Sequence, residues 1–132
     1  ANKGVVEYKR AVNEMLDDPA FWPQNAKHRT FLNVDDENKF LVIERREEGG
    51  NRYVILINLG AGKRYDYKVG VRTKKDYEVV FNSDSFKYSG FGVVSYPDVL
   101  KNRPSNSFEV LDREVVLDVV APYGVVVLRE CA

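Results

Sequence analysis

Apolar side chains near the start of the chain recur at Val5, Tyr8, Val12 and Met15 or Leu16. This spacing returns to one face of a helix of about 3.6 residues per turn. Glu7 and Arg10, and Arg10 and Glu14, stand three or four apart and can pair on the wet face. Gly4 reads as a weak but tolerated N-cap. Pro19 follows Asp17 and Asp18, and the residue before a proline is pushed out of the helical region, so the helix is expected to stop near Asp17. Pro23 then makes Phe21 to Thr30 irregular. From Asn38 onward the period falls to two. Lys39 to Arg45 reads as a strand, closed by the turn cluster Gly49-Gly50-Asn51. Tyr53 to Leu59 is apolar on both faces, as expected of a central strand covered on both sides, and Gly60-Ala61-Gly62 breaks it. Tyr65–Val71, Tyr77–Phe81, Val115–Val120 and Gly124–Arg129 are further short runs rich in Val and Tyr. Ser95 to Asn106, with Pro97 and Pro104, reads as a long surface loop. The pattern predicts an all-β fold: an antiparallel sandwich of Greek-key type with about seven or eight strands, preceded by one N-terminal α-helix.

A length of 132 residues fits one domain with one hydrophobic core. A 44% hydrophobic content with eight Tyr and seven Phe excludes disorder, collagen and coiled coil. Twenty basic side chains balance twenty acidic ones, so no electrostatic excess points to nucleic acid or an anionic membrane. No apolar run approaches the roughly 20 residues that span a bilayer. One Cys (Cys131) excludes a disulfide framework or thiolate metal site within the chain, and one His (His28) excludes a site needing two imidazoles.

Tests for chemistry are mostly negative. His28, between Lys27 and Arg29, has no Ser or Cys partner indicated by spacing and reads as an ordinary surface histidine. Cys131, at the chain's end, reads as a small hydrophobe closing the last strand. Asp35-Asp36-Glu37 lacks the alternate spacing and central Gly of a calcium loop and reads as a solvated acidic turn before the first strand. Asn82-Ser83-Asp84-Ser85 reads as a turn held by its own side chains. No spacing selects a carboxylate pair for glycosidic chemistry, and Gly60-Ala61-Gly62-Lys63 lacks a nucleotide fingerprint. No catalytic residue, metal ligand or cofactor is expected. Aromatics at or near loops are the one enriched feature: Trp22, Tyr65, Tyr67, Tyr88, Phe91 and Tyr96. Exposed aromatic faces can stack on sugar rings, and Trp22, Tyr88 and Tyr96 are the candidates singled out. The competing reading for each is packing, with Trp22 sealing the helix against the sandwich.

Several segments together carry a resemblance. They are Asn38–Arg45, Ile55–Leu59, Tyr65–Val71 with its Asp-Tyr-Lys-Val-Gly core, Tyr77–Ser85, Tyr88-Ser89-Gly90, Asn102-Arg103-Pro104 and Ala121–Leu128. In this order they resemble the C-terminal domain of 1,4-α-glucan branching enzymes of the α-amylase superfamily, with a eukaryotic-type cast in the Asp-Tyr-Lys-Val-Gly and Asn-Arg-Pro pieces. Tyr8 to Leu16 resembles the end of the catalytic barrel in the same enzymes. The stretch Gly92 to Asn106 departs from the family's pattern.

The resemblance implies residues 1–34 as a remnant of the last barrel helix plus a connecting segment, and 35–132 as the C-terminal β-sandwich. The final strand runs almost to Ala132, which reads as a natural end. It further implies a cytoplasmic enzyme of glycogen synthesis, whose barrel cuts an α-1,4 glucan and rejoins it as an α-1,6 branch. None of the barrel's motifs occurs here, so this chain alone is not expected to be an enzyme. The expected role is an accessory domain that stabilises a (β/α)₈ catalytic barrel in cis and contacts α-glucan. Exposed barrel-facing surface could also make the isolated chain self-associate. The alternatives are an independent α-glucan-binding module, or the same domain from an α-amylase.

Overall fold

The computed structural model describes residues 3–85, 92 and 96–132. Helix α1 spans Lys3–Leu16. Gly4 lies buried in its first turn instead of capping it, because helical backbone already begins at Lys3. The C-terminal end falls where Pro19 requires it: Asp18 is extended, with ψ 128°. The Asp18 carboxylate then gathers three donors around the end of the helix. Oδ1 accepts the Ala20 amide at 2.9 Å, and Oδ2 accepts the Asn51 amide and the Tyr53 hydroxyl, both at 2.7 Å. The stretch expected to be irregular forms two 3-10 helices, Pro19–Phe21 and Pro23–His28. Each begins with a proline, whose fixed φ suits a first helical position.

Strand β1 (Thr30–Asp35) was not anticipated. It pairs antiparallel with β2 (Phe40–Arg46), so Asp35-Asp36-Glu37 follows the first strand rather than preceding it. Its alternation is hidden by a register shift between Phe31 and Asn33 and by its edge position, which leaves Phe31 and Val34 exposed. The remaining strands are β3 (Arg52–Asn58), β4 (Arg64–Val71), β5 (Tyr77–Asn82), β6 (Val99–Leu100), β7 (Arg103–Pro104), β8 (Arg113–Val120) and β9 (Val125–Glu130). Strands β6 and β7 fall within the expected surface loop. They escape sequence detection because each is only two residues long, and Pro104 is tolerated because β7 is an edge strand.

Among the described residues all pairings are antiparallel. One sheet has the order β1-β2-β3-β9-β5-β6 and the other β4-β8-β7. Between the sheets lies the main core, with Phe40, Val42, Val54, Leu56, Val126 and Leu128 facing Val69, Val71, Val115, Leu117 and Val120. The other face of the larger sheet buries Tyr53, Phe81 and Val127 against Ala20 and the Ala11, Val12 and Met15 side of α1. Tyr8 reaches the same face, its ring edge-on to Phe81 at 5.2 Å. The two-sided burial expected of Tyr53–Leu59 is therefore present, with the second cover supplied by α1 and Pro19–Phe21. Each fully buried Val or Leu is worth about 1.5–3 kcal/mol in transfer free energy.

Glu44, fully buried on the inward face of β2, closes one end of the main core. Its Oε1 meets Arg52 Nη1 at 2.7 Å and accepts from the Arg72 guanidinium, with Arg72 Nε at 3.1 Å. Hydrogen bonding to Glu44 holds Arg72 above the usual arginine range. Removing one partner of a buried pair costs far more than the pair contributes net, because the other charge is stranded. Glu44→Ala is therefore expected to lower unfolding free energy in urea by about 3 kcal/mol, the lower end of that range because Arg72 reaches solvent. A loss near zero would show that this end of the core needs no carboxylate.

Candidate functional site

The opposite end of the sandwich is where residues 36–39, 59–63 and 121–124 meet. Asn58, the last residue of β3 and 1% exposed, fastens these turns. Its Nδ2 donates to the carbonyls of Gly62 (3.1 Å) and Ala121 (2.9 Å), and its Oδ1 accepts the Gly60 amide (2.9 Å). Backbone bonds complete the closure: Leu59 N–H to Lys39 O at 2.8 Å and Tyr123 N–H to Gly60 O at 3.1 Å. Lys39 (φ 63°), Asp66 (φ 50°) and Tyr123 (φ 53°) are the non-glycine residues with positive φ among those described. All three lie at this end, and left-handed backbone with a Cβ persists only where its surroundings enforce it. Gly124 has no alternative, since a Cβ there would sit 2.9 Å from the Ala121 carbonyl oxygen.

A second cluster joins the two sheets at the edge where β1 meets β4. The Tyr67 ring stacks on Phe40 with centroids 3.9 Å apart, and its hydroxyl donates to Asp35 Oδ2 at 3.0 Å. Asn38 donates to the same carboxylate twice, by backbone N–H to Oδ1 (3.1 Å) and by Nδ2 to Oδ2 (3.0 Å). Burial pushes the Asp35 carboxyl up, but these bonds, with Arg64 nearby, hold it below its ordinary value of 3.8. Burial, and then the Asp35 bond, push the Tyr67 hydroxyl strongly up, so it stays a donor.

Beside this cluster opens a cleft of about 290 Å³, lined by Asn33, Asp35, Asn38, Arg64, Tyr65 and Lys68, with Ser107 and Phe108 on its far side. Tyr65 and Tyr67, two apart, would share a face in a regular strand. The register is unbroken, Tyr65 opposite Val119 and Tyr67 opposite Leu117, yet Tyr67 is buried while Tyr65, near the start of β4, is 69% exposed, with left-handed Asp66 between them. Lys68 Nζ donates to Ser107 Oγ at 3.2 Å.

The residues singled out from sequence fall elsewhere. Trp22 is 41% exposed between the two 3-10 helices, and its carbonyl accepts from Arg45 at 3.3 Å. The sealing role expected of it belongs to Phe21, whose ring lies 4.7 Å from that of Tyr53. Tyr96 is half-buried, packs against the main core and donates its hydroxyl to the Val119 carbonyl at 2.7 Å. Tyr96 and Trp22 thus belong to different parts of the fold. Tyr88 and Phe91 lie outside the described residues. His28 is not an ordinary surface histidine: its side chain is largely covered, with Nε2 3.7 Å from Glu48. Cys131 is half-buried just beyond β9, where burial pushes its thiol up. Asn82–Ser85 forms the expected side-chain-held turn, Asn82 Oδ1 accepting the Asp84 amide at 3.1 Å.

Residues 31–129 match the family described as the alpha amylase C-terminal all-beta domain. The chain belongs to that family. It is 28% identical over 135 aligned residues, 97% of its length, to the 1,4-alpha-glucan branching enzyme GlgB of Clostridium perfringens, covering 20% of that enzyme. A second enzyme of that organism, GlgB 2, is 28% identical over 93% of the chain and 19% of the relative. The GlgB of Synechococcus sp. is 31% identical over 80% of the chain and 14% of the relative. The chain thus spans about one-fifth or less of the curated relatives it matches.

Among the described residues, parts of the family-like pieces have structural roles. Asn102 Nδ2 donates to the Thr73 and Lys75 carbonyls, both at 2.7 Å, and Oδ1 accepts from Arg113 at 2.8 Å. Arg103 holds the buried Glu114 through Nε and Nη2, both at 2.8 Å. Burial raises the Glu114 carboxyl, but bonds from Ser105 and Arg103 bring it below its ordinary range. At Gly70 a Cβ would lie 2.8 Å from Leu111 Cδ1 and 3.1 Å from the Phe108 ring, so both side chains pack directly over the strand there and would have to shift.

Asn58→Ala strips partners from two carbonyls and one amide at once. The expected result is a loss of about 2–3 kcal/mol in urea and faster hydrogen exchange at Gly60. Unchanged exchange would refute the fastening role. For Asp35, the folded carboxyl titrates below the unfolded one. Its contribution is complete above the ordinary value of 3.8 and is lost as pH falls through the lower folded value. Asp35→Asn should make the fall in urea midpoint between about pH 5 and about pH 2 shallower. It should not abolish that fall, since Asp18 and Glu114 are also lowered. An identical slope in the variant would contradict this account.

Proposed function

We propose that this chain is an accessory domain of a 1,4-α-glucan branching enzyme, held in cis against a (β/α)₈ catalytic domain and contributing no catalytic residue. The observation that carries this reading is the outer flank of α1. Val5, Val6 and Leu16 are each 46–49% exposed, beside the face already used on the sheet. At about 100° per residue, Val5 and Leu16 fall within roughly 20° of one another and border Val12, so they widen the buried stripe toward a second partner. A helix that packs on both a sheet and a catalytic domain needs such a stripe. In this reading the last barrel helix and its connection precede β1, and the appended sandwich begins with β1 at Thr30, a few residues ahead of the 34/35 boundary expected from sequence. The parent enzyme works in the cytoplasm on glycogen-like or starch-like glucan. The same flank would let the isolated chain self-associate.

The test uses the longer enzyme. Deleting these 132 residues should cost most of the branching activity and the soluble yield. The double variant Val5→Asp with Leu16→Asp should lower the melting temperature of the whole enzyme by several degrees while leaving this isolated chain's urea midpoint nearly unchanged. A truncated enzyme as stable and active as the whole would refute the proposal. An activity profile of glucan hydrolysis without branching would instead favour an amylase parent.

A further inference from the structure

We propose that the cleft between β1 and β4 binds one uncharged sugar ring of an α-glucan chain, with Tyr65 as its stacking platform. No catalytic function is attached to it, and it does not depend on the docking of α1, which covers a different face.

The chemistry of the lining selects the ligand class. Asp35 and Asp66 are balanced by Arg64 and Lys68, so the cleft has no charge excess to hold a phosphate or a cation. Its remaining polar side-chain groups are the carboxamides of Asn33 and Asn38 and the hydroxyls of Ser107, Tyr65 and Tyr67, groups of types that can both donate and accept. A ring of neighbouring hydroxyls, itself both donor and acceptor at every position, matches such a lining. A volume of about 290 Å³ lies at the lower end of small-ligand pockets, roughly 300–1,000 Å³, which suits a single ring. Tyr65 supplies an amphipathic surface for the C–H face of that ring, and it is the most exposed tyrosine among the described residues, at 69%.

The site is also built in advance. The Asp35 carboxylate is fixed by Asn38 and Tyr67, and Oδ1, which accepts the single Asn38 amide, retains a lone pair for a ligand hydroxyl. A carboxylate held this way loses little freedom on binding. The lining selects an uncharged ring of hydroxyls, and its assignment to α-glucan rests on the proposed parent enzyme.

The experiment is a titration of this chain with maltohexaose, followed by backbone amide chemical shifts, together with native electrophoresis through glycogen gels. Binding on the order of 1 mM is expected, as for a shallow site touching one ring, with shifts centred on residues 33–38 and 64–68. Tyr65→Ala should weaken it by roughly tenfold and abolish gel retardation, while Tyr65→Phe retains it. Because Tyr65 is exposed, both variants should keep the parent's urea midpoint. Trp22→Ala should bind as the parent does. Unshifted spectra at saturating maltohexaose would overturn the proposal, as would a Tyr65→Ala variant that binds unchanged, or retardation lost through Trp22→Ala instead. Equal shifts on adding inorganic phosphate would overturn the uncharged-ring assignment. Since no catalytic domain is present in these measurements, their failure leaves the accessory-domain reading untouched, and failure of the deletion test leaves the cleft untouched.

Discussion

The larger sheet is buried on both faces at its centre, and this constraint governs the rest of the molecule. Strands β3 and β9 pair with Val54 opposite Leu128 and Leu56 opposite Val126 on the inner face, while Tyr53 and Val127 are buried on the outer one. The smaller sheet can cover only the first set. The second needs α1 and Ala20, which is why a helix precedes the sandwich with only two short 3-10 helices between them. Asp18 makes that connection rigid, ending one helix, capping the next and bonding to Tyr53 at the start of β3. The helix is thus a layer of the fold as well as a surface for something else.

Polar closure at the two ends comes from the same geometry. Where the inner face of β2 and β3 runs out of apolar partners, buried polar groups take over, and each meets partners from other strands or turns. Glu44 meets Arg52 and Arg72 at one end. At the other end Phe40 and Asn58 are paired in register, and Asn58 and the Asp35–Tyr67 bond fasten the turns. The first end is a charge cluster centred on a carboxylate that solvent does not reach. The second leaves amide and carboxylate valences beside an exposed aromatic ring, and that asymmetry makes it the candidate site.

Family resemblance and site location are carried by different residues. Asn102, Arg103 and Gly70 brace β7, β8 and the 73–76 turn, so their presence reflects packing and hydrogen bonding. Tyr67, within the Asp-Tyr-Lys-Val-Gly piece, bridges both categories: its ring is core and its hydroxyl shapes the cleft. The motifs therefore mark the family without marking the cleft.

Periodicity alone determined the helix over Val5 to Leu16, the change to period two after Asn38, the hairpin at Gly49-Gly50-Asn51 and the central place of Tyr53–Leu59. These depend on local burial patterns and turn chemistry, which act over a few residues. Tertiary structure decided what no local pattern encodes. Strand β1 is visible only through its pairing with β2, because a register shift and an open edge erase its alternation. Trp22 and Tyr96 looked equivalent as loop aromatics, yet one is exposed on the helix side and the other is tied to β8. Asp35 and Tyr67 are 32 residues apart, and Asn58 and Ala121 are 63 apart. Such pairs carry no signal in one dimension, because a hydrogen bond across the sandwich depends on where the sheets bring the chain and not on how far along it the partners lie.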